Sequence, residues 1–258
     1  MIQRVNWEDL RHLIEQHTGP VCHAQPVSQG RNSEVAVIIR TDTGTTFVKG
    51  LREDHPRAWT QERERLVNPY VRPIAPELLW SHQGDGWSLL GFEYIAGRSI
   101  DYAPGSADLP KLTESMQRLQ RIELPPIELK RAEQRWAAYT DRPELFAGNA
   151  LLHTEWTPSN VLVTDDSAWI IDWAWPTRGA AWIDPACWVV WLIASGHTPA
   201  EAETWAARMP SWSSAPHQAV TEFSHTQTAM WRGIADDNGE PWTRDMAEAA
   251  HRWTEHRT

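Results

Sequence analysis

The chain has 258 residues, of which 41% are hydrophobic and 22% are charged, proportions that are typical of folded globular proteins and exclude a disordered chain. The formal net charge is −10, and the acidic excess lies mainly in the second part: residues 1–96 carry 10 basic and 12 acidic side chains, whereas residues 97–258 carry 14 and 22. This balance argues against nucleic acid as a partner and favours a neutral or cationic small molecule, although a solvated acidic surface explains it equally well.

The N-terminal region has the apolar spacing of an amphipathic helix. Trp7, Leu10, Leu13 and Ile14 recur at intervals that place them on one helix face, and this region lacks the continuous apolar stretch of a signal peptide. The longest apolar run, residues 186–194, is about half as long as a membrane span and suits a buried helix. We therefore expect a cytoplasmic protein without a membrane segment.

Two β-hairpins are predicted next, with a charged helix between them. Runs of β-branched and aromatic residues flank short Gly-containing turns, which is the usual pattern of a hairpin. The expected strands are 35–40, 45–49, 78–82 and 87–94, and the expected helix is 57–67. An earlier strand is expected before the Gly30 loop. The first part of the chain is therefore predicted to be a small lobe with an antiparallel sheet.

After residue 97 the apolar spacing becomes mainly helical. Helices are expected at 108–120 and 128–139 and along two later stretches near the C-terminus, and short strands at 161–163 and 169–171. The two later helices are marked by apolar faces that contain Val220 and Phe223 in one case and Met246 and Trp253 in the other. The fold class predicted from this order is α+β, with a larger, mainly helical second lobe.

The residues that suggest chemistry are spread over both lobes. Phosphoryl transfer from ATP needs a cation on the phosphates, oxygen ligands for Mg²⁺ and a carboxylate that orients the attacking hydroxyl. Lys49 ends a predicted strand, and Glu62 on the next helix is the expected partner of its ammonium group; Glu64 is the alternative, on a different helix face. The stretch 151–163, LLHTEWTPSNVLV, contains Glu155 and Asn160 in a polar loop between two apolar segments.

These residues resemble the aminoglycoside phosphotransferase and choline kinase family, which has a protein-kinase-like fold. The loop pattern of that family, His, any residue, Asp, four residues, Asn, is similar to HTEWTPSN at 153–160. The resemblance also covers the Asp of IIDWAWP, the Asp-Pro of IDPACW and the Gly-any-Asn of GRNSEV. The matching positions are His153, Glu155, Pro158, Asn160, Asp172, Asp184, Gly30 and Asn32.

The resemblance implies a bilobal enzyme, with a nucleotide-binding lobe at 1–96 and a catalytic, substrate-binding lobe at 97–258, and with the nucleotide in the cleft between them. ATP is the expected nucleotide, GTP is not excluded, and Mg²⁺ is expected on Asn160 and Asp172. The implied phosphate-loop residues are Ser28, Gly30, Asn32 and Ser33, with Lys49 on the phosphates and adenine on backbone groups of Glu93 to Ile95. The catalytic residues would be Glu155, Asn160 and Asp172. His153 and Asp184 are expected to brace the loop.

One position departs from the family pattern, because Glu155 stands where the family has Asp. The extra methylene keeps a carboxylate but moves it by more than an ångström. The sequence therefore leaves three functions open: a kinase for a hydroxyl of a small molecule, a nucleotide-binding protein without transfer activity, and a kinase for Ser or Thr of a peptide.

The acceptor is not identified by the sequence. An aminoglycoside or another amine-bearing or sugar-bearing compound is the expected class, and aminoglycosides would imply antibiotic resistance. Trp156, Trp173 and Trp175 surround the expected magnesium ligands, and they either pack the loop or hold a ring or a cationic amine. The sequence is compatible with a monomer or a homodimer.

Overall fold

The chain forms two compact units whose boundary lies near residue 97. A computed structural model describes residues 7–27 and 33–258. Unit 1 comprises Met1–Gly97 together with Ile171–Ala174, and unit 2 comprises Arg98–Ile170 and Trp175–Thr258. The short segment 171–174 therefore groups with the N-terminal part of the chain, although it follows a strand of unit 2.

Unit 1 is built on a five-stranded antiparallel sheet in the order β1-β2-β3-β5-β4. Its elements are α1 (Trp7–Thr18), β1 (His23–Pro26), β2 (Val35–Thr41), β3 (Gly44–Arg52), α2 (Trp59–Val71), β4 (Leu78–Gly84) and β5 (Trp87–Glu93). Leu10, Leu13 and Ile14 of α1 pack in one apolar core with strand residues that include Ile39 and Val48. The predicted amphipathic helix, both hairpins and the intervening helix are confirmed.

Unit 2 contains most of the helices and two small sheets. Its strands are β6 (Arg98–Ser99), β7 (Lys130–Arg131), β8 (Ala150–Leu152), β9 (Val161–Val163), β10 (Ala168–Ile170) and β11 (Thr177–Gly179). Its α-helices are α3 (Asp108–Leu119), α4 (Ala132–Arg135), α5 (Ile183–Ala194), α6 (Pro199–Ala206), α7 (Pro210–Ser213), α8 (His217–Asn238) and α9 (Pro241–Arg257). Short 3₁₀ turns cover Ala137–Tyr139, Pro143–Phe146 and Pro158–Asn160.

The prediction of a helix at 128–139 is wrong. Lys130–Arg131 form a strand that pairs in parallel with β11, and only the four residues of α4 and a 3₁₀ turn are helical after it. The sheet order β7-β11-β8 explains the difference, because backbone pairing with a distant strand outweighs the modest helix propensity of this stretch.

The core of unit 2 is rich in aromatic residues. Trp136, Phe146, Trp182 and Phe223 meet edge to face, with ring centroids 5.0 to 6.3 Å apart, a geometry that favours aromatic pairs beyond their buried area. Helix α5 is buried along nearly its whole length, as its apolar run predicts. No helix within 7–27 and 33–258 is long and apolar enough to cross a membrane.

Candidate active site

Lys49 is the centre of a buried charged cluster in unit 1. Its Nζ lies 2.5 Å from Glu64 Oε2 and 2.7 Å from Asp172 Oδ1. Glu64 Oε1 also accepts a hydrogen bond of 3.3 Å from the backbone N–H of Trp173. Glu64 therefore holds both the ammonium group and the segment that carries Asp172. We call Lys49, Glu64 and Asp172 the lysine cluster.

The electrostatics of the lysine cluster keep Lys49 charged. Burial by itself lowers the pKa of Lys49, but the negative charges of Asp172 and Glu64 outweigh it and hold that pKa above its ordinary value. Burial raises the pKa of Glu64, although Lys49 opposes this shift. The two carboxylates therefore hold a charged ammonium group in a defined position inside unit 1.

The predicted pairing of Lys49 with Glu62 is wrong, since Glu64 takes that place. Glu62 is half exposed and forms an ion pair with Arg65, with 2.6 Å between Oε1 and Nη2. Lys49 itself lies inside β3 and not at its end. The sequence contained a signal for Glu64, because the buried stripe of α2 runs through Glu64, Val67 and Val71, at helical spacing.

The loop 153–160 in unit 2 is fixed by Asp184 at the start of α5. Asp184 accepts hydrogen bonds from the backbone N–H groups of His153 (2.9 Å) and Thr154 (2.7 Å) and from Trp156 Nε1 (2.9 Å). Burial raises the pKa of Asp184 to about 6, although these three donors lower it. Asp184 contacts the loop backbone, in agreement with the expected bracing role.

The loop and the lysine cluster each contain a residue with a strained backbone. Among the described residues, Asp85, Thr154 and Asp172 are the non-glycine residues with positive φ, at 54°, 70° and 62°. Such conformations cost of order 1–3 kcal/mol and persist where the surroundings enforce them, often at functional sites. Asp85 lies in a hairpin turn, whereas Thr154 directly precedes Glu155 and Asp172 is itself a candidate catalytic residue.

Asn160 and Glu155 are linked through the loop backbone. Asn160 Nδ2 donates a hydrogen bond of 3.1 Å to the Glu155 carbonyl oxygen, and the backbone N–H of Glu155 lies 3.4 Å from His153 Nδ1. Because its Nδ2 is engaged, Asn160 presents its Oδ1 as the remaining polar atom. An amide oxygen is a suitable ligand for Mg²⁺.

The Glu155 side chain has a cationic neighbour that the sequence did not indicate. Arg135 Nη2 lies 3.6 Å from Glu155 Oε1, and both side chains are largely buried. Burial lowers the pKa of Arg135, and the charge of Glu155 opposes that shift. No periodic signal identified Arg135, because its position depends on the unforeseen pairing of β7 with β11.

The remaining nucleotide-site predictions are only partly covered by the structure. Ser28, Gly30 and Asn32 lie outside the described residues, whereas Ser33 lies two residues before β2. At the end of β5, the N–H of Glu93 donates to Glu77 O (2.8 Å), and Ile95 O accepts from the N–H of Gly97 (2.9 Å). Both of these backbone groups are therefore already hydrogen-bonded within the chain.

The three tryptophans have different surroundings. Trp156 is fully buried and its Nε1 donates to Asp184, so it packs the loop. Trp173 is also buried and belongs to unit 1. Trp175 is half buried, and its ring has Lys130 Nζ at 4.2 Å and Arg135 Cζ at 5.3 Å from its centroid. Two cations of the chain itself thus lie against Trp175.

Comparison by sequence finds no matching family model and no matching curated protein, whereas comparison by structure finds clear neighbours. Choline kinase LicA from Streptococcus pneumoniae superposes with a TM-score of 0.65 at 14% identity, over 96% of this chain and 98% of that chain. Aminoglycoside phosphotransferase APH(4)-Ia gives a TM-score of 0.65 at 13% identity, over 98% of both chains. The chain has the protein-kinase-like fold of these proteins.

This result confirms the predicted fold class. A thermostable mutant of APH(4)-Ia in a ternary complex with ADP and hygromycin B has the same fold, with a TM-score of 0.62 at 14% identity over 96% of this chain and 98% of that chain. LicA is also known in complex with AMP. At such low identity the kinase-like fold is what the chains share, so the activity of this chain has to be argued from its own residues.

Proposed function

We propose that the protein is an ATP- and Mg²⁺-dependent O-phosphotransferase that acts on a hydroxyl group of a small molecule. The observation that carries this proposal is the buried Lys49 ammonium, held by Glu64 and Asp172 at 2.5 and 2.7 Å. Protein-kinase-like enzymes use a strand lysine with a helix glutamate to hold the nucleotide phosphates. The ADP and AMP complexes of the structural neighbours support a nucleotide as ligand.

The nucleotide would be held mainly by unit 1 residues. Lys49 would bind the α- and β-phosphates, and Glu64 would keep its ammonium group in place. Ser28, Gly30, Asn32 and Ser33 are the proposed phosphate-loop residues, and backbone groups between Glu93 and Ile95 would bind the base. ATP is the proposed nucleotide, with GTP as the alternative.

Asn160 and Asp172 are the proposed ligands of Mg²⁺. No group of three or more His, Cys, Asp or Glu side chains in 7–27 and 33–258 is arranged to hold a metal ion. One amide oxygen and one carboxylate, completed by nucleotide oxygens and water, is a donor set that suits Mg²⁺. When bound, the ion would neutralise charge that develops on the transferred phosphate.

Glu155 is the proposed catalytic carboxylate. It would accept a hydrogen bond from the acceptor hydroxyl and orient its oxygen toward the γ-phosphorus. Transfer forms the bond between that oxygen and phosphorus, breaks the bond from phosphorus to the β–γ bridging oxygen and releases ADP. The hydroxyl proton passes to the Glu155 carboxylate. Asp184 would act indirectly, by holding the loop backbone.

The direct test is incubation with Mg-ATP and an acceptor library, read by mass spectrometry for the mass gain of one phosphate. The library should consist of triplets that share a hydroxyl-bearing skeleton and differ in charge. Glyceric acid, glycerol and 3-amino-1,2-propanediol form one triplet, and glucuronic acid, glucose and glucosamine form another. The proposal expects ADP release coupled to a phosphorylated acceptor, abolished by a chelator. Absence of transfer to every member would contradict it.

A nucleotide-binding protein without transfer activity is the second candidate. It is favoured by one observation: Arg135, 3.6 Å from Glu155, competes for the carboxylate that would orient the hydroxyl. The Glu155→Ala and Glu155→Asp variants separate the two candidates. If the wild type is an enzyme, Glu155→Ala should lower kcat by about 10²- to 10⁴-fold and leave ATP affinity nearly unchanged. Activity that appears only in Glu155→Asp would support the second candidate.

A further inference from the structure

Three side chains of unit 2 form a cationic patch beside Glu155. We define the cationic patch as Lys130, Arg135 and Trp175. Lys130 Nζ lies 4.2 Å from the centroid of the Trp175 ring, and Arg135 Cζ lies 5.3 Å from it. All three side chains are half buried, so they are accessible in part to a small ligand.

The small sheet of β7, β11 and β8 sets the position of the cationic patch. Lys130 pairs with Thr177 across β7 and β11. Trp175 lies in the bend just before β11, and its ring contacts Lys130. Arg135 Nη1 also lies within 3.4 Å of Trp175 O and 3.3 Å of Thr177 Oγ1. The patch is thus part of the folded framework and does not depend on a ligand.

The cationic patch adjoins the proposed catalytic carboxylate. Arg135 Nη2 is 3.6 Å from Glu155 Oε1, beyond a normal hydrogen bond but close enough for an ion pair. Two cations thus lie near the proposed catalytic carboxylate, and Arg135 also feels the charge of Asp184. A hydroxyl that reaches Glu155 would bring the rest of its molecule near Arg135 and Lys130.

The local charges favour a different acceptor from the one that the overall charge suggests. Residues 97–258 carry eight more acidic than basic side chains, but exposed charges are screened over about 8 Å at physiological salt. The two cations within 4.2 to 5.3 Å of Trp175 act at much shorter range. They would also repel an amine that approaches the Trp175 ring. The ring face attracts cations, but Lys130 and Arg135 already lie against it.

We propose that the acceptor is an anionic alcohol, a small hydroxyl compound whose carboxylate or phosphate group pairs with Lys130 and Arg135 while its hydroxyl meets Glu155. This inference rests on the proposed function and replaces the amine-bearing acceptor that the sequence suggested. Arg135 contributes a planar guanidinium and Lys130 a compact ammonium group, a combination that recognises an oxyanion. Glycerol 3-phosphate, added to the first triplet, distinguishes a phosphate from a carboxylate.

The experiment measures kcat/KM for each member of the charge-matched triplets. The acid should exceed its neutral and amine counterparts by about tenfold or more, the effect expected for one charge-assisted contact. Lys130→Ala should remove about tenfold for the acid, mainly through KM, and change the neutral member less than twofold. Arg131→Ala is the matched control, because Arg131 is the exposed neighbour of Lys130 in β7. Its backbone is opposite Arg178 in the strand register, and successive strand side chains point to opposite faces.

The Lys130→Arg variant distinguishes the loss of a charge from a folding defect. It keeps the positive charge and should therefore keep the preference for the acid. Preferred turnover of the amine, equal turnover within each triplet, or an unaltered preference in a folded Lys130→Ala protein would overturn the inference and leave the proposed function intact. Failure to phosphorylate any compound of any charge would instead contradict the proposed function, and the inference with it.

Discussion

At the scale of single residues, Lys49 shows how burial and charge combine. An ammonium group that is only 8% exposed is costly unless it is paired, and here Glu64 and Asp172 supply two carboxylates. Glu64 is buried as well and has a second contact, because it accepts a hydrogen bond from the Trp173 N–H. Removing either partner of such a cluster leaves a buried charge without full compensation.

The first prediction compares two glutamates of α2. Glu64→Ala should lower the free energy of unfolding by about 3 kcal/mol, because it breaks a buried ion pair, and it should weaken ATP binding at least about tenfold. Glu62→Ala, which removes an exposed pair, should change the free energy of unfolding by less than about 1 kcal/mol. Chemical denaturation and calorimetric ATP titration measure both effects. A larger loss in Glu62→Ala would contradict the account of the lysine cluster.

Several of these residue roles were predictable from the sequence, but the lysine partner was not assigned correctly. Asp184 as a brace of the loop followed from the Asp-Pro motif and is borne out by its contacts. Glu62 lies one helical turn before Leu66, and both residues are on the exposed face of α2. The buried stripe through Val67 and Val71 selects Glu64 instead. Arg135 could not be found, since its contact with Glu155 joins residues 20 positions apart in the chain.

At the scale of elements, the loop 153–160 depends on its attachment to α5. Three hydrogen bonds to the Asp184 carboxylate fix the backbone on both sides of Thr154 and the Trp156 ring. This attachment allows a β-branched residue to keep a φ of 70°. The loop therefore has a defined conformation that its own sequence would not favour.

The second prediction concerns the pH dependence that Asp184 contributes to stability. Because the folded-state pKa is raised to about 6, the folded protein binds this proton more tightly than the unfolded chain. The contribution is therefore full below about pH 4 and is lost as pH rises toward 6. The unfolding free energy of the wild type minus that of Asp184→Asn should fall by roughly 3 kcal/mol over this interval.

Urea denaturation of both proteins between pH 3.5 and 7.5 measures that difference. Asp166→Asn is the control, because Asp166 is exposed in the turn between β9 and β10, and its difference should be nearly flat with pH. A difference for Asp184→Asn that stays constant, or that grows as pH rises, would contradict the effect assigned to burial.

The third prediction compares two glycines of unit 2. A Cβ at Gly148 would lie 2.4 Å from Gly179 O and 2.5 Å from Ala180 N, both backbone atoms that cannot move aside. Gly148→Ala should therefore destabilise the protein by about 2 kcal/mol or more. Gly233 lies inside α8 with nothing near its Cβ position, so Gly233→Ala should stabilise by about 0.5–1 kcal/mol. Thermal unfolding distinguishes the two, and shifts of equal sign would argue against the close approach at Gly148.

Elements with strong local signals were predicted well from the sequence. The hairpins of unit 1, the apolar helix α5 and the amphipathic helices α8 and α9 have periodic patterns that fix their type. The strands β6, β7 and β11 were not predicted, because their sequences RS, KR and TRG contain no apolar residue and their pairing depends on distant strands.

At the scale of the whole molecule, this chain has the same fold as its structural neighbours although it shares little sequence with them. Superposition over at least 96% of the chain at 13 to 14% identity means that the pattern of buried positions, and not the identity of the residues, specifies this architecture. The proposed function is more sensitive to sequence, because it would depend on a few side chains such as Lys49, Asn160 and Asp172.

The central claim is that Lys49 and Asp172 serve phosphoryl transfer, and the most direct measurement is the rate of Mg-ATP-dependent phosphate transfer by Asp172→Asn. The control is Asp166→Asn, an exposed aspartate six residues earlier. The account predicts a loss of at least about 10³-fold in kcat for Asp172→Asn, with the control within twofold of the wild type. Turnover by a folded Asp172→Asn protein at the wild-type rate would contradict the account.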